Sequence, residues 1–145
     1  MLFRPALFGL ALALALAPAA AAAQSWIGQI NGVNLQVARR PQGRKNAFVV
    51  YADYGASPTR QRLQLKCGEV DAATRDVLFC ADDLDKYADL EEIKVKVASS
   101  INLVFSYEGR DYWCQGSIRG PLFCRVRISG RPGFSPEYRL TNQNR

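Results

Sequence analysis

The chain contains no histidine, and this absence removes several kinds of chemistry at once. Activation of a serine or cysteine nucleophile usually relies on an imidazole base, and zinc and iron sites usually include imidazole ligands. The sequence also has no glycine-rich phosphate loop and no nucleotide-binding fingerprint. Its cysteines include no C-x-x-C pair, the spacing typical of a thiolate metal site. The sequence therefore predicts a protein without a metal, nucleotide or other cofactor.

Long apolar runs are also absent beyond residue 23, so the mature chain contains no predicted membrane span. Residues 1–23 combine Arg4, a leucine- and alanine-rich core that stops at Pro18, and small residues up to Ala23. This is the pattern of a signal peptide cleaved near Ala23. A retained anchor is the alternative, but the leucine-rich core is shorter than the about 20 residues that a spanning helix needs. No cysteine precedes Cys67, which excludes a lipid-modified N-terminal cysteine.

The leader predicts a bacterial periplasmic or secreted protein, because its alanine- and leucine-rich composition is typical of bacterial export. Cleavage leaves 122 residues with 18 basic and 13 acidic side chains, a net charge of +5. That length suits one domain with a modest core, and we expect a monomer. The domain is predicted over residues 24–130. Residues 131–145, which contain Pro132 and Pro136, are predicted to form an irregular tail.

Four cysteines in an oxidising compartment predict two disulfides. Three connectivities are possible, and the sequence alone leaves all three open. The local one is favoured, because each of its bridges would join the two strands of a hairpin: Cys67–Cys80 and Cys114–Cys124. Bridges that close loops this short stabilise a protein by roughly 2–3 kcal/mol each, which is a large share for a small core.

Most of the mature chain alternates apolar and polar residues, the pattern of half-buried strands. The alternation is clearest in three segments: Arg62–Cys67, Ile93–Val97 and Cys124–Ile128. Asn31-Gly32 and Glu108-Gly109 are suited to two-residue hairpin turns, because such turns need positive φ at both positions.

Only residues 82–92 depart from the alternation. They are acidic and carry apolar residues at helical spacing, which indicates a short helix or loop. The whole pattern predicts an all-β fold: a small, single-domain β-sandwich or β-barrel of about seven or eight short antiparallel strands, stabilised by disulfides.

Charge is segregated along the mature chain. Residues 24–66 carry a net charge of +6, residues 67–92 carry −7, and residues 93–145 carry +6. Alternation places many of the bases on the strand face opposite the apolar residues: Arg60, Arg62, Lys66, Lys94, Lys96, Arg125 and Arg127. If two of these strands are neighbours, their outer faces form a basic strip that attracts a polyanion. Alternatively, these bases only line the solvent face and discourage edge-to-edge pairing.

Aromatic residues add a second candidate for binding, since Tyr112 and Trp113 lie in the last third of the chain. Trp113 has the opposite strand parity to Cys114. If Cys114 faces the core, Trp113 lies on the outer face, where it can stack on a sugar or anchor a protein. If a β-bulge reverses the parity, Trp113 belongs to the core. The sequence leaves both placements open.

Acidic residues supply the remaining candidates for chemistry. Glu108 and Asp111 flank a turn among aromatic residues, and a pair of carboxyl groups can cleave a glycosidic bond. The alternative is that both acids solvate the end of a hairpin. The acids of residues 82–92 are potential calcium ligands, but their spacing does not match an EF-hand loop, so a solvated acidic face is favoured.

These observations favour an exported, non-enzymatic binding protein. Its basic, aromatic-bearing sheet face is expected to hold an anionic glycan or an acidic protein. One alternative is a periplasmic or secreted inhibitor of a host or competitor enzyme, with the hairpin at residues 108–113 entering the enzyme's cleft. Another is a weak glycan hydrolase that uses Glu108 and Asp111.

Overall fold

A computed structural model of the protein describes residues 24–42, 45–55, 60–69, 78–87 and 101–143. These residues form nine strands and no helix. The strands are β1 (Gln24–Ile30), β2 (Val33–Gln42), β3 (Lys45–Asp53), β4 (Gln61–Glu69), β5 (Leu78–Ala81), β6 (Ile101–Tyr107), β7 (Arg110–Gly116), β8 (Leu122–Ile128) and β9 (Tyr138–Asn142).

The strands follow one another in sequence order around a closed barrel, so the prediction of a small all-β domain is confirmed, with slightly more strands than expected. All neighbouring strands are antiparallel except β5 and β6, which run parallel. An odd number of strands closes only if at least one junction keeps the strand direction. Residues 82–100 connect this parallel pair, and a parallel connection requires a long crossover of this kind.

Both predicted two-residue turns are present. Asn31 and Gly32 have φ angles of 49° and 83°, and Glu108 and Gly109 have φ angles of 52° and 75°. Positive φ at both positions matches the twist of the flanking strands and fixes the register of each hairpin. The second turn places Tyr107 opposite Arg110 and therefore Ser106 opposite Asp111.

The barrel interior is filled by apolar side chains from every strand, as expected from the alternation. Both disulfides also point inward, and they join Cys67 to Cys80 and Cys114 to Cys124, the local pairing that the hairpins favoured. Each bridge connects residues that face each other directly on adjacent antiparallel strands. The two disulfides therefore fix the registers of β4 with β5 and of β7 with β8.

One end of the barrel is covered by the connection between β7 and β8. Trp26 Nε1 donates a hydrogen bond of 2.8 Å to the carbonyl of Gly120. Asn142 Nδ2 donates to the same carbonyl and to that of Ile118, at 3.1 and 3.0 Å. These bonds supply hydrogen-bond donors to backbone carbonyls that would otherwise be buried without a partner at the closed end.

The C-terminal segment is only partly irregular, which corrects the expected tail over residues 131–145. Residues 130–137 are irregular, but Tyr138–Asn142 form β9, which pairs with both β8 and β1 and closes the barrel. Gly28 permits this closure, because a Cβ there would lie 2.5 Å from a methyl carbon of Leu140. The expectation of an irregular tail rested on Pro132 and Pro136, which both precede β9. Proline disrupts pairing only in the strand that contains it, so it does not prevent a strand that starts after it.

Several expectations fall on residues outside the described ranges: the signal peptide at 1–23, the strand Ile93–Val97, and residues 88–92 of the acidic segment. Residues 82–87 form turns and bends, which fits the loop expected there better than the helix. In the described ranges, no helix has the length and apolar character needed to cross a membrane.

Candidate functional site

A second apolar cluster lies outside the barrel, on the outer face of β5, β6 and β7. It consists of buried Phe79, Ala81, Tyr87 and Val104, with Leu84, Trp113 and Phe134 packed against them. Two irregular segments cover it: the 82–87 loop and residues 130–137, which we call the strap. A small barrel needs no apolar residues on its outer face, so this cluster distinguishes one side of the molecule from the rest.

Next to this cluster, three strands bring polar residues together in one row. Register pairs Ser106 on β6 with Asp111 on β7, and Asp111 with Arg127 on β8. Arg127 Nε donates to Asp111 Oδ2 at 2.9 Å, and both side chains are less than 10% exposed. The disulfide fixes this pairing, because a register that places Cys114 opposite Cys124 also places Asp111 opposite Arg127.

Asp111 is held as a carboxylate. Burial alone raises its pKa, but three donors oppose that effect: Ser106 and Ser129 on Oδ1, at 2.6 and 2.7 Å, and Arg127 on Oδ2. These hydrogen bonds and the charge of Arg127 lower the pKa of the Asp111 carboxyl below its ordinary value. Removing one partner from such a buried pair usually costs several kcal/mol, about 3–5, because the other charge stays buried.

Two hydroxyl groups extend this network to Asp82. Tyr87 Oη donates to Asp82 Oδ1 at 2.7 Å, and burial raises the pKa of Tyr87. Tyr87 Oη also lies 2.9 Å from Ser106 Oγ. Each hydroxyl has one proton to donate. Either Tyr87 donates to Asp82 while Ser106 donates to Asp111, or Tyr87 donates to Ser106 instead. Lys86 Nζ donates to Ser106 Oγ at 3.0 Å, which supplies a further proton donor.

The strap crosses the outer face of β7 and β8. Its backbone is attached to β8 at Val126, whose carbonyl accepts from Ser135 N at 2.9 Å and whose N–H donates to Ser135 Oγ at 3.0 Å. Phe134 packs edge-on against Trp113, with ring centroids 5.6 Å apart, and the guanidinium of Arg127 lies 4.8 Å from the Phe134 ring centroid. Glu137 pairs with Arg125 at 3.6 Å.

The strap leaves two buried donors without a hydrogen bond. Among the described residues, Trp113 Nε1 and Arg125 Nε are the buried side-chain atoms that have no hydrogen-bond partner. These two residues face each other on β7 and β8. An unsatisfied buried donor typically costs about 1–3 kcal/mol. The packing over Trp113 and Arg125 therefore leaves part of the folding free energy unrealised.

A cleft of about 580 Å³ opens between the 82–87 loop and the start of the strap. Its lining comprises Lys86, Tyr87, Asp111, Arg127, Ser129, Gly130, Arg131 and Pro132. Asp111 and Arg127 form a neutral pair in it, while Lys86 and Arg131 are exposed and add positive charge. The side chains that line the cleft therefore carry a net positive charge.

The aspartates of the 82–87 loop do not line this cleft. The Asp82 carboxylate accepts from Tyr87 Oη and from the backbone N–H groups of Asp83 and Ser106. The Asp83 carboxylate accepts from the backbone N–H of Asp85. These bonds commit Asp82 and Asp83 to the loop's own structure, so Lys86 is the charged residue that the loop contributes to the cleft.

The predicted basic residues lie on two separate surfaces. Arg60, Arg62 and Lys66 are exposed at β4, and Arg125 and Arg127 are on the outer face of β8. Three strands separate β4 from β8 in one direction around the barrel and four in the other, so these surfaces are on opposite sides. The expected strip across neighbouring strands is therefore not formed by β4 and β8. Lys94 and Lys96 lie outside the described residues.

The two predicted aromatic residues, Tyr112 and Trp113, face opposite sides of β7. Tyr112 faces the barrel interior, where it is 1% exposed and stacks on Phe105, so its proposed role in binding is wrong. Burial raises the pKa of Tyr112 to about 12. Trp113 has the outer-face parity, but it is half-buried under Phe134. Of the two alternatives for Trp113, the outer-face placement is the one observed, because no bulge reverses the parity of β7; on that face Trp113 packs against the second apolar cluster.

The structure places the two carboxyl groups proposed for glycan hydrolysis in different environments. Asp111 is committed to Arg127 and two serines and is kept ionised, so it is a poor general acid. Glu108 is exposed in the β6–β7 turn. Ser106 is a poor nucleophile as well, because the carboxylate that accepts its proton, Asp111, has a lowered pKa and is therefore a weak base.

Sequence reasoning missed Lys86, Tyr87, Ser129 and Arg131, which line the cleft. A signal for Lys86 existed, since it is the only base among residues 82–92. Arg131 was assigned to the tail because glycine and proline surround it. The partners of Asp111 could have been predicted by counting residues from each turn or bridge. Counting from the Glu108-Gly109 turn places Ser106 opposite Asp111, and counting from the Cys114–Cys124 bridge places Arg127 opposite it.

The described part of the chain contains no cluster of three acidic or cysteine side chains arranged to hold a metal ion. Comparisons of the chain with protein-family models, with curated proteins and with solved structures found no match. Function is therefore argued from the cleft and from the surfaces around it.

Proposed function

We propose that the protein is an exported, non-enzymatic binding protein that holds an anionic glycan in the cleft beside Arg127. One observation carries the proposal: Lys86 and Arg131 are exposed beside an internally neutral Asp111–Arg127 pair, so the cleft has excess positive charge. A carboxylate or sulfate group of a sugar would neutralise that charge. The leader sequence and the two disulfides support a site of action in the periplasm or outside the cell.

The dimensions and chemistry of the cleft support a sugar as the ligand. Small-molecule sites usually enclose about 300–1,000 Å³, and this cleft falls within that range. Ser129 is exposed, and although its hydroxyl donates to Asp111, its oxygen can accept a hydrogen bond from a sugar hydroxyl. The apolar face of exposed Pro132 suits the C–H face of a sugar ring. A flat acidic protein surface would not need a concave site of this kind.

The absence of an activated group near the cleft supports binding without turnover. Its carboxylate, Asp111, is ion-paired and ionised, and among the described residues no second acid lines the cleft to act with it. Glycoside hydrolysis requires two carboxyl groups on opposite sides of the scissile bond. A ligand held by Lys86 and Arg131 is therefore expected to leave the site unchanged.

The test uses polygalacturonate, an anionic glycan, and its methyl-esterified form, which has the same sugar chain without the charge. Binding to the mature oxidised protein is measured by calorimetry between 20 and 300 mM salt, with Lys86→Glu/Arg131→Glu as the test variant. Arg60→Glu/Arg62→Glu is the matched control, because it makes the same change in net charge on the opposite side of the barrel. We expect the test variant to lose at least about tenfold in affinity, equivalent to 1.4 kcal/mol, and the control to lose much less.

Equal losses in the two variants would show that only net charge matters and would remove the cleft from the proposal. Equal binding of the esterified chain would remove the requirement for an anion. Strong salt dependence is expected, because the exposed charges on both partners are screened.

A second candidate, inhibition of an enzyme, is favoured by a different part of the molecule. The Glu108-Gly109 turn is exposed beside Ile128, which is 52% exposed, and Tyr54, which is 47% exposed, packs on Tyr107 at the same end of the barrel. An exposed turn with apolar neighbours suits a protein interface. This candidate predicts a one-to-one complex that depends little on salt and that Glu108→Lys or Ile128→Asp weakens, whereas Lys86→Glu/Arg131→Glu does not.

A further inference from the structure

The strap covers the residues of this face that are best suited to hold a second sugar. Trp113 offers an aromatic ring and Arg125 a guanidinium, and they face each other on β7 and β8. In the structure, Phe134 of the strap packs on Trp113, and Glu137 of the strap pairs with Arg125. The strap thus supplies a ring and a carboxylate, the two groups that an acidic sugar would bring to the same residues.

This covered area adjoins the cleft. Arg127 lines the cleft, and its guanidinium lies 4.8 Å from the Phe134 ring centroid. Phe134 also contacts Trp113. The Phe134 side chain therefore lies between the cleft and Trp113. A linear ligand that extends from the cleft toward Trp113 meets Phe134 first.

The strap leaves hydrogen-bonding groups of β7 and β8 unpaired and makes a long ion pair. Trp113 Nε1 and Arg125 Nε are buried beneath it and, within the described ranges, have no acceptor. The Arg125–Glu137 contact is 3.6 Å long and more than 40% exposed on both sides. Ring oxygens, hydroxyls and carboxylates of a sugar are acceptors that these donors lack at present. A ligand of that chemistry would gain contacts that the strap does not make.

We propose that the strap is a built-in substitute for one acidic sugar residue and that a longer acidic glycan displaces it. This inference rests on the proposed function. A monosaccharide would occupy the cleft alone and leave the strap in place. A chain of several residues would push Phe134 and Glu137 aside, stack one sugar ring on Trp113 and place its carboxylate on Arg125. Gly130 and Gly133, both at positive φ, lie immediately before the part of the strap that has to move.

The experiment measures binding of galacturonate oligomers of one to four residues to the wild-type protein and to Phe134→Ala and Glu137→Gln. Phe123→Ala is the matched control, because Phe123 is an exposed phenylalanine on the outer face of β8. Removing the competing strap group should raise the affinity for the tetramer about three- to tenfold in both strap variants, and should leave monomer affinity unchanged. Glu137→Gln alters an exposed side chain, so it remains informative if Phe134→Ala does not fold.

Tryptophan fluorescence supplies a second readout. The chain has two tryptophans, and Trp26 is sealed inside the barrel. The tetramer should therefore change the emission of Trp113, whereas the monomer should not, and Trp113→Phe should abolish the change. A peptide of four glutamates serves as the acidic-protein probe.

The outcomes separate the two proposals. If the monomer binds in a manner that depends on Lys86 and Arg131 while strap variants leave tetramer affinity and Trp113 emission unchanged, the strap inference is wrong and the cleft proposal stands. If the glutamate peptide binds as tightly as the galacturonate tetramer, the assignment of the covered area to a sugar is wrong. If no oligomer binds, both are overturned.

Discussion

Strands β4 and β8 have the same sequence pattern but different surroundings. Each alternates inward apolar residues with outward bases, and each contributes a cysteine to a disulfide in the barrel interior. On β4, Arg62 is exposed and its guanidinium donates to Gln64 on the same strand. On β8, Arg127 is 9% exposed, is paired with Asp111 and lies against the Phe134 ring.

The difference comes from what lies above each strand. The 82–87 loop and the strap cover the outer face around β6 to β8 and form a second apolar cluster there. Once this face was covered, an arginine on it needed a buried partner, because an unpaired buried charge is too costly. Identical alternation therefore produces a solvated surface on one side of the barrel and a structured site on the other.

The largest effect should come from breaking the buried pair. We expect Asp111→Ala to lower the free energy of unfolding by about 3–5 kcal/mol, because Arg127 stays buried without its partner. Arg62→Ala on β4 should change it by less than about 0.5 kcal/mol, as is usual for exposed positions. Urea denaturation followed by circular dichroism measures both. In the double variant Asp111→Ala/Arg127→Leu, part of the loss should be recovered; a fully additive loss would contradict the pairing.

The two disulfides allow a second comparison. Their half-cystines are 13 and 10 residues apart in sequence, so the loops that they close are of similar length. Replacing either pair with alanines should cost a similar amount, about 2–4 kcal/mol. Only loss of Cys114–Cys124 should also change Trp113 fluorescence, because that bridge sets the register of Trp113 opposite Arg125. An equal fluorescence change after loss of Cys67–Cys80 would contradict this assignment.

Acid should distinguish two aspartates whose carboxyl groups both have lowered pKa values. Asn34 and the Gly55 N–H donate to Asp53, which is partly exposed, and both bonds lower its pKa, whereas Asp111 is buried among donors that include a guanidinium. A carboxyl with a lowered folded pKa stabilises the fold above its unfolded pKa, near 3.8, and that stability is lost as pH falls through the folded value. Asp111→Asn should therefore flatten the loss of stability below pH 4, as measured by urea midpoints, more than Asp53→Asn does.

The smallest effect is expected at the exposed pair between the strap and β8. Glu137→Gln should lower the free energy of unfolding by no more than about 1 kcal/mol, since Arg125 and Glu137 are both partly exposed. The difference from wild type should shrink as salt is added, because screening weakens an exposed pair. A loss of several kcal/mol would indicate that the strap is a rigid part of the fold and would argue against its displacement.

Much of the fold could be predicted from the sequence because strand alternation and turn chemistry are local. Asn31-Gly32 and Glu108-Gly109 form the expected turns, and the cysteines pair within hairpins. The strand β9 was missed, because Tyr138–Asn142 is short and its pairing partners β1 and β8 are fixed only when the barrel closes. The choice between a sandwich and a barrel was left open for the same reason.

The candidate site was harder to predict because its residues come from distant parts of the chain. Trp113 and Arg127 were singled out by parity, which is a local property. Lys86 and Arg131 come from the segments on either side of the cleft. Nothing in the sequence next to either residue indicates that the two line the same cleft. Tyr112 was misassigned because an aromatic residue beside Trp113 suggested one cluster, although neighbouring residues in a strand face opposite sides.

Sequence alone was enough to indicate which residues point inward, where two hairpins turn and which cysteine pairing is favoured, because backbone geometry and side-chain alternation act between near neighbours. The favoured Cys114–Cys124 pairing places Asp111 opposite Arg127. Only the tertiary structure decided that this pair would be buried, since burial depends on the 82–87 loop and the strap meeting over β7 and β8. It also decided that the bases of β4 and β8 would be on opposite sides, because strand order in a closed barrel arises from long-range pairing.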